Sequence, residues 1–154
     1  MKEINKDLKT IEKYAHANHW LYDWTLLHRL YISEPDTYSL FTPFAFSYLE
    51  ELIRSTTSKY SLTREEMTEL RFNRVYGTKI INCAIKENKG NKELVKALED
   101  CKQYYLPSEI DSEKGKRNSV MHGYLPPLYW SKDSFEVLIH KIAEISRYSN
   151  LKLS

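Results

Sequence analysis

Residues 131–147 read SKDSFEVLIHKIAEISR, and the spacing of their apolar side chains sets the fold class. Phe135, Leu138, Ile139, Ile142 and Ile145 recur at three- and four-residue intervals, while Glu136, His140, Lys141, Glu144 and Arg147 fall on the other side, which is the pattern of a helix with one buried face. Ser131 supplies the hydroxyl that caps it. Upstream, Gly123 and Pro126-Pro127 are stop signals for a fifth helical segment over about 110–122. Leu94, Leu98, Cys101 and Tyr105 form the inner stripe of a short fourth helix, which Asn88-Lys89-Gly90-Asn91 separates from the third and Leu106-Pro107 closes.

The same reading extends to the N-terminus. Thr63 and Glu66 have capping-box spacing and open a third helix running to about Glu87. Gly77 inside it costs about 1 kcal/mol relative to Ala, so it marks either a close helix contact or a tolerated weak point. Thr42 followed by Pro43 reads as an N-cap with proline at the first helical position, starting a second helix that ends near Thr56. From Ile4 to Ile32, the residues Ile4, Leu8, Ile11, Ala15, Tyr22, Leu26 and Leu30 trace one helical face. Trp20, Trp24, Leu27 and Tyr31 add a second stripe, so the latter half of this helix packs against more than one neighbour. The expectation is an all-α, up-and-down bundle of five or six helices in a single domain spanning residues 1–154.

Composition supports this reading. Four Gly and five Pro are too few for the turn density of a sandwich or barrel, and 42% apolar residues with twelve Tyr and three Trp exclude a disordered chain. The net charge of +2, from 23 basic and 21 acidic residues, argues against bulk nucleic-acid binding, so any basic site must be local. Cys83 and Cys101 form no CxxC pair, which suggests neither a disulfide framework nor a zinc site. The charged, periodic N-terminus has no apolar core region, and no stretch approaches the length of a membrane span. A cytoplasmic protein is expected, with no membrane partner.

Chemistry concentrates in residues 114–124, KGKRNSVMHGY. Lys114, Lys116 and Arg117 stand against the single acid Glu113, a local basic patch suited to phosphate. Asn118 and His122 are four residues apart and share a helix face, so the amide can orient the imidazole. Arg117 lies roughly 140° around the helix and reaches a shared substrate only through its long side chain or from a second protomer. A helix C-terminus favours protonated His122, which places it where a general acid or base is useful. The plainer alternative is that Arg117 and His122 cap a helix and pair with surface acids.

Arg117-Asn118, three residues, then His122-Gly123, placed just before the last helix of an all-helical domain, resembles the signature of the HEPN superfamily, and Tyr124 two residues after the histidine resembles its toxin subgroup. The resemblance implies a metal-independent endoribonuclease without cofactor, of a toxin–antitoxin or phage-defence system, acting on RNA as a homodimer. In such a dimer the motifs of both protomers meet in one cleft. It implies that Arg117 stabilises charge on the scissile phosphate and that His122 handles the proton of the attacking 2′-hydroxyl. Asn118 positions the imidazole, and Lys114 and Lys116 hold RNA. Tyr124 becomes a control point that a nucleotidyltransferase-like antitoxin modifies, or else a packing residue beneath Pro126-Pro127. The rival class is a non-catalytic HEPN-like interaction or nucleotide-binding module using the same basic patch.

Other signals are weaker. Glu50 or Glu51 could support Arg117 or His122, although a solvated Glu50–Arg54 pair on one helix explains them more simply. His16, His19 and Asp23 have spacings that could ligate a metal but lack a fourth ligand, so an exposed polar face is favoured and no metal is expected. Arg71 and Arg74 extend a basic groove or form a charged solvent face.

Overall fold

The computed structural model of the chain describes residues 2–16, 19–58, 60, 77–105, 120–121 and 126–149. Six α-helices stand among them: α1 (Lys2–Tyr14), α2 (Leu21–Ser33), α3 (Tyr38–Ser55), α4 (Thr78–Glu87), α5 (Lys92–Lys102) and α6 (Lys132–Ser146). Single 3-10 turns cover Pro35–Thr37, Gln103–Tyr105 and Pro127–Tyr129. The described residues form an all-α bundle without strands.

α6 is the central element and packs against α1, α3 and α5. The Ser131 side chain accepts a hydrogen bond from the Ser134 N–H at 3.1 Å, and Phe135, Leu138, Ile139, Ile142 and Ile145 are all buried, as their spacing predicts. Each such side chain removed from water contributes about 1.5–3 kcal/mol, so this one face supplies a large share of the folding force. The α5 stripe also agrees with its pattern: Leu94, Leu98, Cys101 and Tyr105 are buried, and Asn91 caps the helix through Leu94 N–H.

The first predicted helix is instead two. α1 ends at Tyr14, and the carbonyl of His16 accepts bonds from the N–H groups of His19, Trp20 and Leu21 at 3.0–3.3 Å, which turns the chain back so that α2 packs on α1. The turn resets the helical phase, so the two stripes of the sequence do not belong to one helix. Ile4, Leu8, Ile11 and Ala15 are buried on α1, whereas on α2 the inner residues are Trp24, Leu27 and Tyr31. Tyr22 is 77% exposed and Leu30 also faces solvent. Trp20 and Trp24 meet Phe44 and Tyr48 of α3 with ring centroids 5.0–5.7 Å apart, mostly edge-on, an arrangement aromatic rings favour.

α3 begins at Tyr38, four residues before the predicted Thr42 cap. Pro35 fills the early position that tolerates proline, in the turn before the helix, and Pro43 lies inside. The Thr42 hydroxyl bonds back to the Tyr38 carbonyl at 2.8 Å rather than capping. Pro43 cannot donate to the carbonyl four residues earlier, a defect that helices accept only when packing outweighs it. Here Ala45, Phe46, Tyr48, Leu49, Leu52 and Ile53 are buried along α3, and the Tyr38 hydroxyl ties its start to the Trp130 carbonyl at 3.0 Å.

Gly77 is not in a helix interior. It precedes α4 at φ 59° and ψ −135°, a region open to glycine but strained for any residue with a Cβ. Among the described residues a Cβ there meets nothing within 4 Å, so the positive φ is what calls for glycine. The Thr63/Glu66 capping box, with Arg71 and Arg74, lies outside the described residues.

Candidate functional site

Arg117, Asn118 and His122, with Lys114, Lys116 and Tyr124, lie outside the described residues. Tyr105 is buried at the end of the α5 extension. Val120, inside the 117–124 stretch, is 5% exposed and helical. It closes a small cavity together with Thr42 and Phe46 of α3 and Ser134, Phe135 and Leu138 of α6. Val120 is therefore seated at the N-terminal end of α6, beside the N-terminal half of α3. Met121 is 38% exposed, and the Pro127–Tyr129 turn holds Leu128 and Tyr129 at 85% and 62% exposure. Three large apolar side chains thus face solvent close in sequence to the motif.

The acids proposed to support it have a partner of their own. Arg54 donates to Glu51 at 2.7 Å and to Glu50 at 3.2 Å. The expectation of a solvated pair is corrected: the Glu50 and Arg54 side chains are only 9% and 7% exposed, and Ser55, Thr56 and Thr57 beside them are buried. The reason is that this end of α3 is buried, so its charges are stabilised by each other and by hydrogen bonds more than by water.

The His16, His19 and Asp23 face is also corrected. The turn at His16 breaks the helix that would align the three, so His16 is 4% exposed while His19 and Asp23 face solvent. The two imidazoles lie 4.3 Å apart, centroid to centroid. Burial, reinforced by His19, holds the His16 pKa below its ordinary value. Among the described residues no group of three His, Cys, Asp or Glu is arranged to hold a metal, and no helix is long and apolar enough to cross a membrane.

Sequence reading passed over one charged surface. Lys2, Lys6, Lys9 and Lys13 on α1 are exposed and line one open, shallow depression with Asn5 and Thr10. At about 100° per residue they fall within roughly 60° of arc, diametrically opposite Ile4, Leu8 and Ile11. The acids of the same helix point elsewhere. Asp7 pairs with His140 of α6 at 2.9 Å, and Glu12 with His28 of α2 at 3.1 Å. Glu3 joins Asp133 and Glu136 in a groove between α1 and α6. No carboxylate among the described residues pairs with the four lysines. Like charges one turn apart each cost about 0.2–0.5 kcal/mol in a helix, so the face carries unrelieved repulsion. The signal was present in the spacing of residues 2, 6, 9 and 13.

No protein-family model matches the chain, and neither does any characterised protein or solved structure.

Proposed function

We propose that the chain is a metal-independent endoribonuclease of HEPN type, acting as a homodimer in a toxin–antitoxin or phage-defence setting. The observation that carries this reading is the motif itself, Arg117-Asn118-x-x-x-His122, placed directly before the last helix of an all-α bundle. Two structural features support it. Val120, between Asn118 and His122 in sequence, is buried in the core, and the exposed Met121, Leu128 and Tyr129 offer an apolar edge for a second protomer.

In this mechanism one His122 takes the proton of a ribose 2′-hydroxyl as that oxygen attacks the adjacent phosphorus. The His122 of the second protomer gives a proton to the departing 5′-oxygen. Arg117 side chains stabilise the extra negative charge on the phosphate oxygens, and Asn118 keeps the imidazole oriented. Lys114 and Lys116 bind RNA in a salt-dependent way. Tyr124 serves as the control point, where an added nucleotide blocks the cleft. One observation favours the rival reading of a non-catalytic binding module. The lysine face of α1 provides a polyanion surface that requires no chemistry at all.

The test is RNA end mapping after expression in cells, with Arg117→Ala and His122→Ala as comparators. Loss of a general acid or base lowers rate by about a hundredfold to ten-thousandfold, while a surface substitution costs about 0.5 kcal/mol or less of stability. Both variants are expected to melt with the wild type and to lose cleavage. Cleavage by His122→Ala at the wild-type rate rejects the assignment, and an unfolded His122→Ala assigns the residue to a structural role.

A further inference from the structure

We infer that the outer face of α1 is a docking surface for the phosphate backbone of single-stranded RNA, built from residues other than those of the 114–124 patch. The identity of the polyanion rests on the ribonuclease reading; the location rests on α1 alone. Lys2, Lys6, Lys9 and Lys13 stand in line over about 16 Å of helix, at 1.5 Å per residue. A stacked strand rises about 3.4 Å per nucleotide, so the line faces roughly five phosphates.

Charge complementarity selects this occupant. The four ammonium groups have no carboxylate partner among the described residues, because Asp7 and Glu12 are drawn to His140 and His28 on either side of the helix. An approaching polyanion relieves their mutual repulsion, and a protein carboxylate on the same face is not there to compete. The acidic groove of Glu3, Asp133 and Glu136 flanks α1 on its α6 side and repels a strand from that direction, confining it to the lysine line.

The apolar stripe of α1 is wholly buried, which argues against the two other macromolecular partners. An interfacial helix inserts apolar side chains into lipid, and this face has none to insert. A protein interface is built on an apolar or aromatic centre, and the depression is lined only by Lys, Asn and Thr. Nucleic-acid backbones, in contrast, are held mainly by charge, with neutral donors such as the Asn5 amide N–H groups beside it; the Thr10 hydroxyl is spent on the Lys6 carbonyl.

Placement adds to the argument. Ile4 and Asp7 share a groove with Asp133, Val137 and His140, so the start of α1 lies beside the start of α6. Val120 is seated against the same end of α6, near Ser131 and Ser134. The lysine line therefore begins at the end of the bundle where Val120 is seated and leads away from it.

The experiment uses the full chain carrying His122→Ala, so that RNA stays intact and the outcome is independent of catalysis. Binding of a labelled oligouridine of about twenty nucleotides is followed by fluorescence anisotropy from about 50 to 200 mM salt. The added substitutions are Lys2→Gln, Lys6→Gln, Lys9→Gln and Lys13→Gln together, or Lys6→Gln and Lys9→Gln alone. A charge-matched control replaces Lys79, Lys86, Lys89 and Lys96, which are exposed on α4, α5 and the turn between them.

Four phosphate contacts contribute about −3 to the slope of log K against log salt for a single strand, which is about fiftyfold in affinity over that range. The fourfold variant is expected to lose at least about tenfold in affinity at low salt and to flatten the slope by about 3, the double variant by half as much. The control is expected to keep the slope, with all variants melting within a few degrees of the parent. Equal losses in the control and the α1 variant overturn the proposal, because bulk charge then suffices. So does an unchanged slope, or tighter capture of phosphatidylserine vesicles than of the RNA. Cleavage by the chain with His122 intact is measured separately, so its absence rejects the ribonuclease reading without touching this result.

Discussion

Replacing Arg54 by Met separates the buried reading of the α3 ion pair from the solvated one by roughly tenfold in energy. The guanidinium is 7% exposed and donates to Glu51 at 2.7 Å and to Glu50 at 3.2 Å, and the Glu50 side chain is itself only 9% exposed. A solvated helical pair contributes about 0.3–0.5 kcal/mol, which in a chain of this length moves the melting temperature by about 1–2 °C. Removing one partner of a buried pair costs about 3–5 kcal/mol, because the remaining charge has lost water without keeping its counter-ion. At about 2–4 °C per kcal/mol this is a fall of about 6–20 °C. Met keeps most of the stem volume, so the loss reports charge and hydrogen bonding more than a cavity. Urea unfolding at neutral pH gives the free energy, and the double variant Glu50→Met with Arg54→Met closes the cycle. The double variant is expected to be more stable than Arg54→Met alone, since it strands no carboxylate at position 50. If Arg54→Met melts within 2 °C of the wild type, the pair is solvated in solution and the burial argument fails.

Gly77→Ala is expected to cost about 1–3 kcal/mol by urea unfolding, since φ 59° with ψ −135° is strained for Ala while no described residue crowds its methyl; an unchanged midpoint rejects that backbone conformation. His16 gives a pH dependence of known sign. Its folded pKa lies below the ordinary value of about 6.5, so the unfolded chain takes up the proton first, and stability falls as pH drops below that value. His16→Gln is expected to lose less stability than the wild type between about pH 7 and pH 5, and parallel curves refute it. Burial pushes the Cys101 thiol up to about 12, so on a Cys83→Ser chain the remaining thiol is expected to resist alkylation near pH 8 until the protein unfolds, with rapid native labelling as the contrary result.

Where a helix buries one regular stripe from its cap onward, its pattern could be read directly. The α6 stripe from Phe135 to Ile145 and the α5 stripe from Leu94 to Tyr105 are of this kind, and each has a polar cap that ends the ambiguity at its start. The reading failed where a chain reversal contains no Gly or Pro. Tyr14 to Trp20 has neither; its turn is closed by local backbone bonds to the His16 carbonyl, and what favours it over a continued helix is the packing of α2 on α1, a tertiary cause. Pro43 misled for the same reason: an interior proline is unfavourable locally, and only the burial of α3 on both sides of it makes the longer helix the better structure.

Charge shows a different limit of one-dimensional reading. A net +2 spread over 23 basic and 21 acidic residues excludes nothing about a particular surface, because charge recognition depends on which groups face the same way. α1 makes the point within thirteen residues. It carries Lys2, Lys6, Lys9 and Lys13 against Glu3, Asp7 and Glu12, nearly balanced in sequence. His28 and His140 project from the two neighbouring helices and draw Glu12 and Asp7 to opposite flanks, leaving the lysines alone on the crest. Glu50 shows the converse, an acid that sequence left on a solvated face and that folding buried against Arg54. In both cases packing between helices sorts the charges, and helical periodicity supplies only the faces among which they can be sorted.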